Sequence, residues 1–546
     1  MVFIITHRLV LHDQRGRRYI SIGCYRKRTL WLPVSYTKIL RQNTTGAIQR
    51  CHPTFAIHPQ RSTMENNKLL KTKAYVNGEW TAAKSGKAFD VVNPATNQCI
   101  AAVPDMDRSD VQSAINAADE AWPAYRELTA KERAALLRNW FNLIIENKED
   151  LARIMTLESG KVITESLGEV AYGAAFIEWF AEEAKRMYGD VIPPHTKDRR
   201  IVVIRQSVGV VAAITPWNFP LAMITRKVGP ALAAGCTVVV KPPAETPLTA
   251  LALALLAEKA GFAPGVYNTA TSSQSSEVGK ELCENKKVRK LSFTGSTAVG
   301  KTLMAQCAPT LKKLSLELGG NAPFIVFDDA DTDAAVQGAL LSKYRHNGQT
   351  CVCVNRLLVQ NGVYDEFTRK FTKAVQALKT GDVMDKDVQV GPLINKKGLQ
   401  KVKEYIQDAI AKGAEIATGG NQLEGLFFQP TVLTGAKPEM KIAKEEVFGP
   451  VAPIFRFSTE AEAIGMANDT EYGLAAYFFS RDVARCWRVA EALEYGMIGV
   501  NEGLISTEVA PFGGVKESGF GREGSKYGMD YFTELKYLCY GNIASR

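Results

Sequence analysis

Lys290-Leu291-Ser292-Phe293-Thr294-Gly295-Ser296-Thr297-Ala298-Val299-Gly300 is the stretch that decides the fold. Residues 290–293 read as a buried strand, Gly295 to Gly300 as a glycine-bracketed turn, and residues 298–307 as a helix. A strand feeding a helix through a Gly-rich turn is half of a βαβ unit. Such a turn aims the first backbone N–H groups of the helix, with the positive end of its dipole, at any anion lying over it. The spacing departs from G-x-G-x-x-G, so Gly295, Ser296 and Gly300 form a variant whose meaning depends on its neighbours.

The same alternation runs outward from that stretch. Residues 208–214, 237–240 and 324–327 are β-branched or apolar runs short enough for buried strands, and residues 248–259 read as a helix between two of them. Upstream, Tyr75-Val76-Asn77-Gly78-Glu79-Trp80 predicts a hairpin on its Asn-Gly turn. A helix capped by Ser109 follows, its face marked by Val111, Ala114, Ile115, Ala118 and Trp122. Thr129-x-x-Glu132 is a capping box opening another helix through Leu136, Leu137, Trp140, Leu143 and Ile144. Alternation of this kind predicts an α/β fold with a parallel sheet covered on both faces.

Charge separates the chain into two parts. Of its 546 residues, the first 63 hold eleven Lys and Arg against one acid, Asp13, so the whole formal +10 sits there and the rest is formally neutral. A neutral body argues against nucleic acid, because a phosphate-tracking protein needs its basic stripe on the folded domain. The apolar runs fall short of the roughly 18 residues a bilayer demands, so no membrane span is expected. Ten irregularly spaced cysteines form no disulfide framework and fit a reducing compartment. Residues 1–63, rich in Arg and nearly acid-free, with no long apolar core, read as a mitochondrial transit segment. The alternative is an upstream extension of a cytoplasmic protein that starts at Met64.

Six motifs carry the chemistry: Pro216-Trp217-Asn218-Phe219-Pro220, Lys241-Pro242-Pro243, Phe293-Thr294-Gly295-Ser296, Leu316-Glu317-Leu318-Gly319-Gly320, Gly348-Gln349-Thr350-Cys351 and Glu445-Glu446-Val447-Phe448-Gly449-Pro450. In order and spacing they resemble the aldehyde dehydrogenase superfamily. Asn501-Glu502-Gly503-Leu504-Ile505-Ser506 and the stretch Gly521 to Gly528 resemble the succinate-semialdehyde dehydrogenases within it. The resemblance implies three domains: a Rossmann-type cofactor domain (residues 64–188 and 208–319, with 517–533), an α/β catalytic domain (320–516) and oligomerisation strands (189–207 and 534–546). Within the last, Arg200 to Arg205 is expected to pair with a partner's sheet edge in a homodimer or homotetramer.

It also implies roles. A hydride leaves readily only from a tetrahedral adduct, so aldehyde oxidation needs a nucleophile, and a thiolate is a good one. Cys351 matches it. Asn218 matches the amide that stabilises the resulting oxyanion, together with the Cys351 backbone N–H. Glu317, a carboxylate in an apolar run, matches the base that activates water for thioester hydrolysis. For NAD or NADP, Lys241 matches the adenosine-ribose residue, Glu446 the nicotinamide-ribose residue and Phe448 its neighbour. Trp217, Pro242, Pro243, Ala244, Gly295, Ser296 and Gly300 complete the cofactor set. Ala244 stands where NAD-preferring members often carry a Glu that repels a 2′-phosphate, which predicts that NADP is accepted. Arg226, Arg345 and Ser506 match the residues that hold the carboxylate of a semialdehyde. The substrate implied is succinate semialdehyde; glutarate semialdehyde or another short aldehyde is the alternative, and a non-catalytic structural relative is the alternative of another class. Cys353, two residues past the nucleophile, is a candidate for reversible oxidation with Cys351. No metal is expected, since Cys-x-Cys here lacks further clustered ligands.

Overall fold

Val238, Val239 and Val240, in the strand Thr237–Lys241, are all fully buried. A parallel strand covered on both faces requires such a run, because its alternating side chains point into two different cores. Val210–Ile214 and Tyr267–Thr269 flank it, both parallel to it. The computed structural model describes residues 67–543 and, in the leader, the backbone of one short pairing, Leu11–His12 with Arg18–Tyr19. Apart from that pairing, the expected transit segment lies outside the described residues.

The sheet around Thr237–Lys241 has eight strands, in the order Gly519–Phe520, Lys313–Glu317, Val288–Thr294, Val210–Ile214, Thr237–Lys241, Tyr267–Thr269, Ala74–Val76 and Glu79–Thr81. The five central strands run parallel and the outer pairings antiparallel. Asn77 and Gly78 turn the edge hairpin with φ of 52° and 80°, the left-handed pair a two-residue turn needs. Helix Pro247–Ala260 is buried almost throughout and therefore apolar on all sides, with no single stripe. Helix Ala222–Ala234 is buried at every residue, Arg226 and Lys227 included.

A second, seven-stranded sheet is ordered Glu415–Thr418, Thr431–Thr434, Val451–Phe457, Val354–Gln360, Ala322–Val326, Ala475–Phe479 and Met497–Val500, parallel except at its first pairing. The chain passes from the first sheet to the second through Leu318-Gly319-Gly320-Asn321, between Lys313–Glu317 and Ala322–Val326. Glu317 thus ends one sheet on the seam with the other. A third sheet sets Arg200–Ser207 between Thr533–Tyr540 and Asp190–Ile192, all antiparallel.

The structure changes two expectations. The helix expected to start on Ser109 runs Arg108–Arg126 and is capped by Asp107. The Asp107 carboxylate accepts the N–H groups of Ser109 (2.8 Å) and Asp110 (3.2 Å), and Asp110 accepts the Asp107 N–H (3.1 Å). One carboxylate satisfying two orphan donors within a reciprocal box displaces a serine hydroxyl as the cap. Arg200–Ser207 is a central strand, paired along its whole length with Thr533–Tyr540 and at Ile201–Val203 with Asp190–Ile192, so the stretch expected to meet a partner is taken up mainly within the chain. The outer edges belong to Thr533–Tyr540 and Asp190–Ile192. The capping box at Thr129 forms as read, with Glu132 returning to the Thr129 N–H at 2.7 Å.

Candidate active site

Two glycines make the seam close enough for chemistry. A Cβ on Gly320 would lie 2.5 Å from the carbonyl oxygen of Cys351, and one on Gly319 would lie 3.2 Å from Oε2 of Glu446. The bare backbone at Gly320 also donates its N–H to Oε1 of Glu446 at 3.1 Å. The Leu-Glu-Leu-Gly-Gly run therefore brings Glu317, Glu446 and Cys351 around one turn.

Cys351 arrives on a strained loop. After helix Thr332–Tyr344, residues His346, Asn347 and Gly348 all adopt left-handed φ (48°, 57° and 73°). For the two non-glycine residues this costs about 1–2 kcal/mol each. Hydrogen bonds hold the loop there. The His346 N–H donates to both carboxylate oxygens of Glu165 (3.0 and 2.9 Å), and Asn347 Nδ2 donates to Gly391 O (3.0 Å). Gln349 Oε1 accepts the Ile394 N–H (2.9 Å). Asn218 joins from the Trp-Asn-Phe segment, its Nδ2 donating to Gln349 O at 2.9 Å while its Oδ1 is buried without a partner. Asn218 and the cysteine loop are thereby locked together.

The charges around Cys351 form a graded set. Burial pushes the Cys351 thiol up to about 12; Arg226 opposes this, while Glu446 and Glu317 add to it. Burial also lifts Glu317 well above the usual carboxylate range, and the charge of Glu523 lifts it further. One Glu317 oxygen, Oε2, is buried and unpaired. Burial likewise raises Glu523, but Lys227 and Arg226 outweigh it and hold that carboxylate low. Glu523 is ion-paired to Lys227 and lies 2.7 Å from Nη2 of Arg226; Lys227 also donates to Thr294 Oγ1 at 2.6 Å. Two neighbouring carboxylates thus have opposite protonation tendencies, an arrangement suited to separate acid and base roles. Lys227 escapes a sequence reading because helix Ala222–Ala234 is buried all round and gives a charged position no polar face to stand on, and Glu523 escapes it because its partners Arg226 and Lys227 come from that distant helix.

The expected substrate arginines separate in depth. Arg226 is 1% exposed, paired with Glu523, its guanidinium 3.8 Å above the Phe512 ring. Arg345 lies 4.8 Å over the Phe219 ring and lines a narrow pocket with Val352, Tyr477, Leu504, Ile505 and Ser506. Arg345 and Ser506 are therefore together at a mouth reaching toward the cysteine loop. Cys353 is buried behind Cys351. The Thr350–Cys353 turn bends the chain (Cys353 N–H to Thr350 O, 3.1 Å), and Lys343 Nζ donates to Cys353 Sγ at 3.3 Å.

The remaining predicted residues form a cradle. Ser296 caps helix Thr297–Cys307 with no side-chain bond, and Ser296, Ala298 and Val299 are exposed, which leaves the helix N-terminus open to an anion. A Cβ on Gly300 would lie 2.5 Å from Leu318, so this glycine lets the helix pack onto the catalytic run. Gly295 donates its N–H to Glu317 O at 3.1 Å. Lys241, at its strand's end before Pro242, Pro243 and Ala244, donates to Ser275 Oγ at 2.8 Å. Burial drops its ammonium to about 8, against the opposing charge of Glu245. Trp217 and Phe448 meet edge to face at 5.5 Å. Half-buried Glu446 is pushed up to about 7 by burial. Exposed helix N–H groups, a lysine at a strand end and a carboxylate across the seam fit the phosphates and two ribose hydroxyl pairs of a dinucleotide.

A Rossmann-like parallel sheet, a cysteine loop and a carboxylate at its seam define a thiol-dependent dehydrogenase. Residues 80–538 match the profile of the aldehyde dehydrogenase family, and the chain belongs to that family. It is 60% identical over 476 residues to a glutarate-semialdehyde dehydrogenase of Pseudomonas putida, covering 87% of this chain and 99% of that protein. It is 59% identical over 480 residues to the NADP(+) succinate-semialdehyde dehydrogenase of Escherichia coli, covering 88% and 99%. The crystal structure of succinate-semialdehyde dehydrogenase from Burkholderia pseudomallei has 58% identity and a TM-score of 0.87 over 88% of this chain and all of that one.

Proposed function

We propose that the protein oxidises succinate semialdehyde to succinate with NADP or NAD. The observation that carries this reading is Arg345 with Ser506 on a pocket running toward the Cys351 loop: a guanidinium and a hydroxyl suit a carboxylate distant from the reacting aldehyde. The Cys351 sulfur forms a bond to the aldehyde carbon, and its proton passes to Glu317, whose proton affinity burial and Glu523 raise. Asn218 Nδ2 and the Cys351 N–H stabilise the oxygen that gains charge. When bound, the nicotinamide cofactor supplies the hydride acceptor. Gly295, Ser296 and Gly300 would seat its pyrophosphate, Lys241 with Pro242, Pro243 and Ala244 its adenosine side, and Glu446, Phe448 and Trp217 its nicotinamide side. Glu317 releases that first proton to bulk water, then draws one from the water that attacks the thioester and passes it to the departing sulfur, freeing the acid and the Cys351 thiol.

The absence of charge at Ala244 supports acceptance of NADP. A second reading, glutarate semialdehyde as substrate, is supported by the name of the Pseudomonas putida relative. The test is an assay of purified protein with succinate semialdehyde, glutarate semialdehyde and butanal, each with NAD and NADP, and Cys351→Ala as the blank. Both semialdehydes are expected to exceed butanal in kcat/KM by about tenfold or more; butanal turned over as well as either would overturn the reading.

The separate sheets support the three-domain division stated above, with subunits of a homo-oligomer pairing through the outer strands Asp190–Ile192 and Thr533–Tyr540 of the third sheet. The basic residues 1–63 support a mitochondrial matrix location. The bent Thr350–Cys353 turn supports Cys353 as a redox partner of Cys351, since an extended strand would hold the two sulfurs apart.

A further inference from the structure

Tyr172 stands on helix Ile163–Glu183, packed against Phe219, Ala222 and Met223, its ring edge-on to Phe176 at 5.1 Å. These rings also seat the two arginines: Arg345 lies over Phe219 and Arg226 beside Phe176, at 4.8 and 5.6 Å. The Tyr172 hydroxyl is shut off from solvent and has no hydrogen-bond partner of good geometry; Ser506 lies within its reach, and the positive charges of Arg226 and Arg345 act on it. Burial raises its pKa, so the phenol keeps its proton and remains a donor.

A buried O–H without an acceptor is costly, and one beside two guanidinium groups calls for an anionic oxygen. Glu523, the carboxylate nearest this charge, is already engaged by Lys227 and Arg226. We propose that Tyr172 donates a hydrogen bond to the distal carboxylate of the substrate and so helps Arg345 and Ser506 select semialdehydes over uncharged aldehydes. The inference rests on the carboxylate-bearing substrate proposed above and adds a donor that the sequence motifs do not mark.

Tyr172→Phe in the full chain tests it, because the change removes one oxygen and keeps the ring packing. KM for succinate semialdehyde is expected to rise about tenfold, with competitive inhibition by succinate weakening in step. kcat, and every constant for butanal, should stay within about twofold, since only the carboxylate contact is lost. Equal losses on both substrates, or an unchanged ratio between them, would overturn the inference. If wild type itself fails to prefer the semialdehyde over butanal, the proposed function falls and this inference with it. If wild type has the preference and Tyr172→Phe keeps it, this inference alone falls.

Discussion

Glu317 condenses the proposed chemistry into one side chain. Its carboxyl is raised by burial and by Glu523, its Oε2 has no partner, and its backbone oxygen accepts the Gly295 N–H from the cofactor cradle. A base of this kind works only when ionised, so kcat should fall as pH drops through its raised pKa, and the acid limb should lie well above the usual carboxylate range of about 4. Glu317→Gln should lower kcat by about 10²- to 10⁴-fold and abolish that limb. Because Glu317 also takes the Cys351 proton in the attack, the burst of reduced cofactor should slow together with the steady state. Stopped-flow measurement checks this; a burst as fast as in wild type ahead of a slow steady state would mean that Glu317 serves hydrolysis alone.

At the scale of elements, the approach of the run ending at Gly320 to the cysteine loop sets the geometry. Gly320→Ala would press a Cβ against the Cys351 carbonyl and displace one element from the other. A shift of about 1 Å in a reacting group can cost about 100-fold in rate, so kcat should fall by about that factor, and the overpacked backbone should lower the melting temperature as well. Kinetics and differential scanning calorimetry on the same sample check both halves. The strands and helices of the parallel sheet were legible in sequence because Val238 to Val240 and the turn at Gly295 follow simple rules of burial and backbone freedom. Cys351, Glu317 and Asn218 were legible because each stands in a motif. Tyr172, Lys227 and Glu523 were not, since each is polar on a buried element and its partners come from distant chain. Lys290 is of the same kind. Its Nζ donates to Ser315 Oγ at 2.6 Å under the Phe532 ring, and burial drops it to about 7. Near pH 7 and below, folding must bury a charge that the unfolded chain carries freely; near pH 10 the unfolded lysine also loses its proton. Stability should therefore rise with pH through that window. Lys290→Met should raise Tm at pH 7 by about 2 °C or more and by much less at pH 10; calorimetry at the two pH values decides it, and an equal gain at both would contradict the titration.

On the scale of the whole molecule, charge and pairing lie in different places. The surplus of positive charge sits in residues 1–63, while Arg226, Lys227 and Glu523 of the formally neutral body are buried together, Arg226 acting on the Cys351 thiol. Under the mitochondrial location proposed above, the surplus bears on destination, while interior charge bears on the chemistry. The subunit pairing proposed above rests on the third sheet. Among the described residues, the outer edge of Thr533–Tyr540 pairs with no strand, and Leu535 and Tyr537, two positions apart and so on one face, are 63% and 59% exposed. An unpaired edge bearing large apolar side chains favours pairing with another chain, and charge placed on it opposes that pairing. Leu535→Lys with Tyr537→Lys should reduce the assembly toward the single-chain mass in light scattering. Cys351, Glu317 and Asn218 all come from one chain, so stoichiometric labelling of the Cys351 thiol by an aldehyde-analogue probe should survive dissociation. An unchanged mass would move the subunit contact to another surface, whereas lost labelling on dissociation would mean that the partner shapes the cysteine loop.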